Sequence, residues 1–283
     1  MDILYAPKYE YFIFDPEKFA GLDTMNSQVE NNKRRLVVIT DPHIKAAESY
    51  PVFADGYKME SPMEDLHSGN FTSIFVKDCK DVVFIGMCWP GLSGWIDYFN
   101  ENAREYWKSL YSYENFNGTT SIYSYWNDMN EPSVFNSEEG TFPLQNYHYK
   151  RDGTQIKHRD IRNAYGSMMQ RTTHQGALMR DDYQQRAFVL TRSFFIGSQK
   201  YGAYWTGDNV AAYEELQGSI YELLANSMAG MFFGGADIPG YQGVPTQDLY
   251  IKTYQLGIFY PFYRAHCSID NTHREPWLQD ENV

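Results

Sequence analysis

Tyr125-Trp126-Asn127-Asp128-Met129-Asn130-Glu131-Pro132-Ser133-Val134-Phe135 is the stretch from which the fold is read. Ser121-Ile122-Tyr123-Ser124-Tyr125 leads into it, rich in aromatics and holding a β-branched Ile, and this predicts a short strand. Pro132 cannot donate to a sheet ladder, so the strand ends near Asp128. Side chains alternate along a strand, which puts Trp126 and Asp128 on one side and Tyr125 and Asn127 on the other. An indole and a carboxylate then emerge together at a strand's carboxyl end. That pairing suits a sugar: a flat ring packs on its C–H face and an oxygen faces its anomeric carbon. The plain alternative is an Asp that caps the following turn.

Outward from this stretch the pattern repeats. Leu36-Val37-Val38-Ile39 is a continuous apolar run stopped by Asp41-Pro42, as in a strand covered on both faces. Asn100 is a candidate N-cap for a helix to Ser112, with Ala103, Tyr106, Trp107, Leu110 and Tyr111 on one core-facing stripe. Asp160 is placed as the cap of a helix reaching Met179. Residues 186–192 are read as a strand ending at Arg192, and 201–209 as a strand running into Asp208. A helix over 211–230 with Leu216, Ile220, Leu223 and Leu224 inward follows. Phe232 to Asp237 is the next strand, 248–256 a helix and 258–266 the last strand. Residues 46–88 show no helical period and are read as an inserted loop with a β-hairpin, Phe71 to Phe75 pairing with Val82 to Ile85. Residues 136–158 are read as a loop.

Strand and helix thus alternate, with polar residues at the strands' carboxyl ends. The fold class is α/β, a (β/α)8 TIM-type barrel whose active site gathers at the carboxyl-terminal face. The chain as a whole, 1–283, is taken as this one domain. No Gly-x-Gly-x-x-Gly turn follows a strand, which argues against a dinucleotide binder.

Composition narrows the function. Net charge is −12, which disfavours nucleic acid and anionic membrane surfaces as partners. With 24 Tyr and 18 Phe there is material both for a core and for sugar-binding walls. No apolar run approaches the roughly 18 residues of a membrane-spanning helix, and Met1 to Tyr5 carries no basic, apolar leader. Cys79 and Cys88 could bridge a hairpin, although the count of three cysteines leaves at least one thiol free. Asn70-Phe71-Thr72 and Asn117-Gly118-Thr119 are N-glycosylation triplets. No Cys/His cluster has metal-ligand spacing.

Asp41, Asp128, Asp208 and Asp237 all stand at predicted strand ends. Retaining glycoside hydrolysis needs two carboxyl groups about 5–5.5 Å apart, one attacking and one shuttling a proton. Residue spacing alone leaves the choice among the four open.

The run Trp126 to Phe135 resembles the nucleophile signature of glycoside hydrolase family 31, the retaining α-glucosidases. Further segments resemble the family in the same order: Asp2-Ile3-Leu4-Tyr5, Asp41-Pro42-His43-Ile44, Trp89-Pro90-Gly91, Leu190-Thr191-Arg192, Trp205-Thr206-Gly207-Asp208-Asn209, Gly235-Ala236-Asp237, Arg264-Ala265-His266 and Arg274-Glu275-Pro276-Trp277. The resemblance implies that Asp128 is the nucleophile and Asp208 the acid/base, its carboxyl raised by burial and by Asp128. It implies that Asp2, Arg192 and His266 bind sugar hydroxyls, and that Trp89, Trp126, Phe135 and Trp205 wall the cleavage subsite. Arg192 would help keep Asp128 ionised; the plain alternatives are a structural ion pair for Arg192 and a core histidine for His266. Asp237 would lie on the site floor.

No cofactor is implied. The branch of the family most resembled trims glucose from N-linked glycans in the endoplasmic reticulum lumen, beside a β-subunit. The first barrel strand and most of the second are expected to be absent, which would leave two unpaired sheet edges. Other family 31 α-glycosidases (acting on maltose, starch or α-xylosides), a glycan-binding module without catalysis and an inactive truncated product are the rival readings.

Overall fold

The computed structural model describes residues 1–279, and the chain divides into two units, one formed by Met1–Phe195 and one that begins at Ile196. In the first unit the order is α1 (Leu22–Asn31), β1 (Leu36–Ile39), β2 (His43–Lys45), α2 (Pro51–Lys58), β3 (Gly86–Cys88), β4 (Gly91–Trp95), α3 (Glu101–Ser109), β5 (Tyr123–Asn127), β6 (Tyr147–Tyr149), β7 (Gln155–Lys157), α4 (His158–Ile161), α5 (Tyr165–Met179) and β8 (Val189–Thr191).

β1, β5 and β8 are parallel neighbours with β5 in the middle. Ile39 pairs with Trp126 and Asn127 with Thr191. That register decides what stands beside Asp128. Helix α5 packs on β5 and β8, and α3 packs on α5, where Trp107 donates to the Thr173 hydroxyl. Asn100 caps α3 by accepting from the amides of Asn102 and Ala103, and the expected stripe Ala103, Tyr106, Trp107, Leu110 and Tyr111 is buried. The aromatic excess is largely spent here. Phe12 sits edge-on to Trp107, Tyr111 and Phe116, at centroid distances of 5.2–5.3 Å, a favoured geometry for ring quadrupoles.

Several expectations are corrected. Residues 46–88 include a helix, α2, opened by Pro51 at its first turn. The β insertion is a three-stranded antiparallel sheet, β2-β4-β3, with only a short hairpin bridged at Lys77 and Val83 where longer strands were expected. Gly91, at φ +93°, lets the chain reverse after Trp89-Pro90. The loop over 136–158 holds a hairpin, β6–β7, and the long helix begins at Tyr165 rather than Asp160. Met1 bonds β1 as a strand end does, donating to the Val37 carbonyl and accepting from the Ile39 amide, and Asp2 then caps a 3-10 turn over Ile3–Tyr5. Cys79, Cys88 and Cys267 are all free thiols, with Cys88 buried and Cys79 exposed.

In the second unit β9 (Gly202–Trp205) pairs in parallel with β10 (Gly234–Gly235), with α6 (Tyr213–Met228) between them and α7 (Gln247–Gly257) after. That is the strand-helix-strand pattern read from the sequence. The segment 258–266 runs beside β10 but is no regular strand. Phe262 donates to Gly234, Ile238 donates to Arg264, and a single bridge joins Ile238 to Ala265. Pro261 removes one donor from the ladder. On α6, Ile220 and Leu224 are exposed, and Leu216, Ser219 and Leu223 form the inward line.

A Cβ on Gly235 would lie 1.8 Å from the Phe262 carbonyl oxygen. Gly235→Ala is therefore expected to destabilise the second unit by about 3 kcal/mol or more. A thermal melt unchanged from wild type would contradict this close backbone approach. Among the described residues no helix is long and apolar enough to cross a membrane.

Candidate active site at the end of the parallel strands

The site grows from the register of β1, β5 and β8. Thr40 donates its amide to the Trp126 carbonyl at 2.8 Å, and Arg192 donates its amide to Asn127 at 3.1 Å. The next residues along the three strands are Asp41, Asp128 and Arg192, so one carboxyl and one guanidinium flank Asp128.

The two asparagines of the motif fasten it to both neighbours. Asn127 Nδ2 donates to the Thr40 carbonyl and hydroxyl, both at 3.2 Å. Asn130 Nδ2 donates to the Thr191 hydroxyl at 2.8 Å, and its Oδ1 accepts from the Ser193 amide at 2.9 Å. Between them Met129 takes a left-handed φ of +56°, a conformation that costs a non-glycine residue about 1–2 kcal/mol. In that turn the Met129 amide donates to Asp128 Oδ1 at 2.8 Å. Strain of this kind is retained where surrounding bonds fix it, commonly at functional sites.

Arg192 Nη1 meets Asp128 Oδ1 at 2.9 Å, with 19% and 15% of the two side chains exposed. The same guanidinium donates through Nε and Nη2 to the two oxygens of Glu131, at 2.7 and 3.1 Å. Burial raises the Glu131 carboxyl, but the bonds and charge of Arg192 and the Ser133 hydroxyl outweigh it and hold the group below its usual range. Arg192 thus serves both acids of the motif. Glu131 lay inside the quoted stretch, but nothing in its spacing assigned it a role; an arginine with a five-donor fork calls for a second carboxylate.

Behind this rung Asp41 and His43 are fully buried. The Tyr11 hydroxyl donates to Asp41 Oδ2 at 2.5 Å and lies 3.0 Å from His43 Nε2. Burial, then the charge of Asp128, pushes the Asp41 carboxyl well up, against the Tyr11 bond and the charge of Arg192. Burial and the Arg192 charge push His43 down to about 3, so the imidazole is neutral. Asp2, exposed on its turn, also acts on Asp41 electrostatically.

The predicted aromatic walls separate into kinds. Trp89 and Phe135 are 44% and 51% exposed and meet edge to face at 4.8 Å, forming an open apolar ledge. Trp126 is 6% exposed and forms part of the sheet interior. In the second unit Trp205 is buried, with Arg264 over its ring at 5.1 Å. Asp237 is buried and pairs with Arg264 through the Nε bond at 2.9 Å. Asp208 follows the turn at Gly207 and is exposed. His266 stacks by Tyr241 at 5.2 Å, and burial together with Arg264 and Arg274 drives its imidazole down to about 3. Among the described residues no group of three or more His, Cys, Asp or Glu could hold a metal ion.

The description Glycosyl hydrolases family 31 TIM-barrel domain matches residues 1–283. The chain belongs to glycosyl hydrolases family 31. The fold expected from the strand and helix alternation, a TIM-type α/β barrel domain, is the fold of that family. The chain is 41% identical over 285 residues to a probable glucan 1,3-alpha-glucosidase of Oryza sativa subsp. japonica, covering 99% of itself and 29% of that protein. It is also similar to a solved structure of glucosidase II alpha subunit in an alpha3-Glc2-bound state, with a TM-score of 0.88 and 44% identity, covering 99% of this chain and 29% of that one. The same figures hold for an ER glucosidase II heterodimeric complex of the catalytic subunit and the binding domain of the regulatory subunit. The chain thus spans under a third of the length of these family 31 relatives.

Proposed function

We propose that the protein containing this domain is a retaining α-glucosidase in which Asp128 attacks the anomeric carbon. The observation that carries the reading is the Asp128–Arg192 pair at 2.9 Å on the rung beyond Trp126, at the carboxyl end of family 31 barrel strands. An ionised carboxylate at that position is the nucleophile the chemistry requires. Asp208 donates its proton to the departing glycosidic oxygen as the C–O bond breaks, and Asp128 closes on the sugar as a covalent glycosyl-enzyme. Asp208 then takes a proton from water, whose oxygen displaces Asp128 and restores the starting configuration. Arg192, His266 and Asp2 bind ring hydroxyls. The Trp89–Phe135 ledge, with Trp126 and Trp205, meets the apolar faces of the sugar.

The names of the relatives favour an α-1,3-linked terminal glucose as substrate, and the family resemblance favours the trimming of N-linked glycans as its setting. They also favour the endoplasmic reticulum lumen as the place of action and a regulatory β-subunit as partner. Because the chain spans 29% of those relatives, activity is measured on the protein in its longest expressed form.

Proton NMR of an α-glucoside digest reads the stereochemistry directly: α-glucose must be released first, and a first product of β configuration would exclude a glycosyl-enzyme. Asp208→Ala is expected to slow hydrolysis of disaccharides by about 10²–10⁴-fold. Aryl glucosides with acidic leaving groups, which need little protonation, should suffer much less in the first step. Equal losses on both substrates would remove Asp208 from the acid role.

A further inference from the structure

Asp41 stands outside the mechanism above, yet it is among the most constrained acids of the described residues. Its side chain is fully buried. Oδ2 takes the Tyr11 hydroxyl at 2.5 Å, His43 Nε2 lies 3.6 Å from the same oxygen, and Oδ1 has no hydrogen-bond partner among the described residues. A carboxylate with one oxygen buried and unbonded is costly; a carboxylic acid is far less so. The clasp is fixed from elsewhere: the Tyr11 carbonyl accepts from the Tyr50 hydroxyl at 2.7 Å, and the rings of Tyr11 and His43 meet edge to face.

The charges around the rung point the same way. Asp41, Asp128 and Glu131 share one guanidinium, that of Arg192, which is already committed to the other two at 2.7–3.1 Å. Around Asp41 the titratable and charged groups among the described residues include Tyr5 and Tyr11 on the N-terminal segment, Tyr98 before α3, neutral His43 on β2, Asp2, Asp128, Arg192 and the Cys88 thiol, which burial pushes up and keeps protonated. None of these supplies Asp41 with a second cation.

We propose that Asp41 is a positioning residue for the nucleophile, a neutral carboxylic acid held by the Tyr11 hydroxyl, which His43 braces, on the rung beside Asp128, so that Arg192 serves Asp128 and Glu131 rather than Asp41. This rests on Asp128 being the nucleophile. An ionised Asp41 would draw Arg192 toward itself and set a second negative charge beside the attacking oxygen, raising the nucleophile's own carboxyl.

The test pairs infrared spectroscopy with kinetics on the protein in its longest expressed form. At neutral pH, the difference spectrum of wild type minus Asp41→Asn should contain the C=O stretch of a buried, protonated carboxyl. Asp41→Asn, neutral and isosteric, should keep kcat/KM within about threefold of wild type, with the acidic limb of its pH profile unmoved. Asp41→Ala, which strips the clasp, should lose kcat by about 10–100-fold at nearly constant KM. The proposal is overturned by the absence of the protonated-carboxyl band, by an Asp41→Asn loss as deep as that of Asp128→Asn, or by an Asp41→Ala variant with unchanged kcat. A wild-type glycosyl label on a residue other than Asp128 would instead remove the nucleophile assignment, and the infrared band would still report the state of Asp41.

Discussion

Asp128→Asn is expected to lower kcat/KM for α-glucosides by on the order of 10⁴-fold or more while the protein stays folded. The amide keeps the volume and can still accept the Met129 N–H that Asp128 takes at 2.8 Å. What it loses is the negative charge and the ability to bond covalently to the anomeric carbon. Arg192 keeps its two bonds to Glu131, so the guanidinium is not stranded. Stability should therefore change by no more than about 1–2 kcal/mol. Paired kinetics and thermal melts separate the two effects. Retained activity in the variant would mean that the attacking group lies elsewhere.

The second large effect belongs to Arg192. Arg192→Met removes the cation facing Asp128 and both donors to Glu131. Breaking a buried ion pair from one side costs about 3–5 kcal/mol. Glu131 keeps 40% of its side-chain surface exposed, so water screens part of that and about 2–3 kcal/mol is expected. The pH dependence follows from the Glu131 carboxyl, which Arg192 holds below its usual range. A depressed carboxyl contributes stability above its unfolded value of about 4.3 and loses it as pH falls through the lower folded value. The gap between wild type and variant should be full near pH 7 and shrink below about pH 4. kcat/KM should fall by about 10³-fold, since a preorganised cation at the reacting centre is lost. Arg192→Lys should recover little, because an ammonium cannot span Asp128 and Glu131 as the fork does. A variant of wild-type stability at pH 7 would contradict this reading of the ion-pair cluster.

The parts of the chain that were legible in sequence are those where one local signal and the tertiary role agree. β1 reads as a buried parallel strand because Leu36 to Ile39 is apolar throughout. The stripe on α3 reads as core because its period matches the face turned to α5 and Phe12. The hairpin β6–β7 was missed although Asp152-Gly153 lies between its strands; Gly153, at φ +84°, takes the left-handed position that closes a three-residue hairpin loop. α2 was missed because eight residues carry too little period, and only Pro51 at its start marked it. The stretch 258–266 alternates well enough for a strand, but its ladder is carried by isolated bonds to Gly234 and Ile238.

At the site, chemistry carried by the motif was legible and chemistry carried by packing was not. Asp128 and Arg192 could be named because they end strands and match the family 31 pattern. Glu131 could not be ranked above the other acids until Arg192 was seen to reach it on both oxygens. Tyr11 and His43 lie 32 residues apart in sequence, and the chain of bonds from His43 through the Tyr11 hydroxyl to Asp41 exists only in the folded chain.

The measurement that bears most directly on the account is a trapping experiment. The protein is incubated with 5-fluoro-α-D-glucosyl fluoride, digested, and the label mapped by mass spectrometry. The account predicts a single fluoroglucosyl group on Asp128. A label on any other carboxylate, or a folded protein that acquires none, would contradict it.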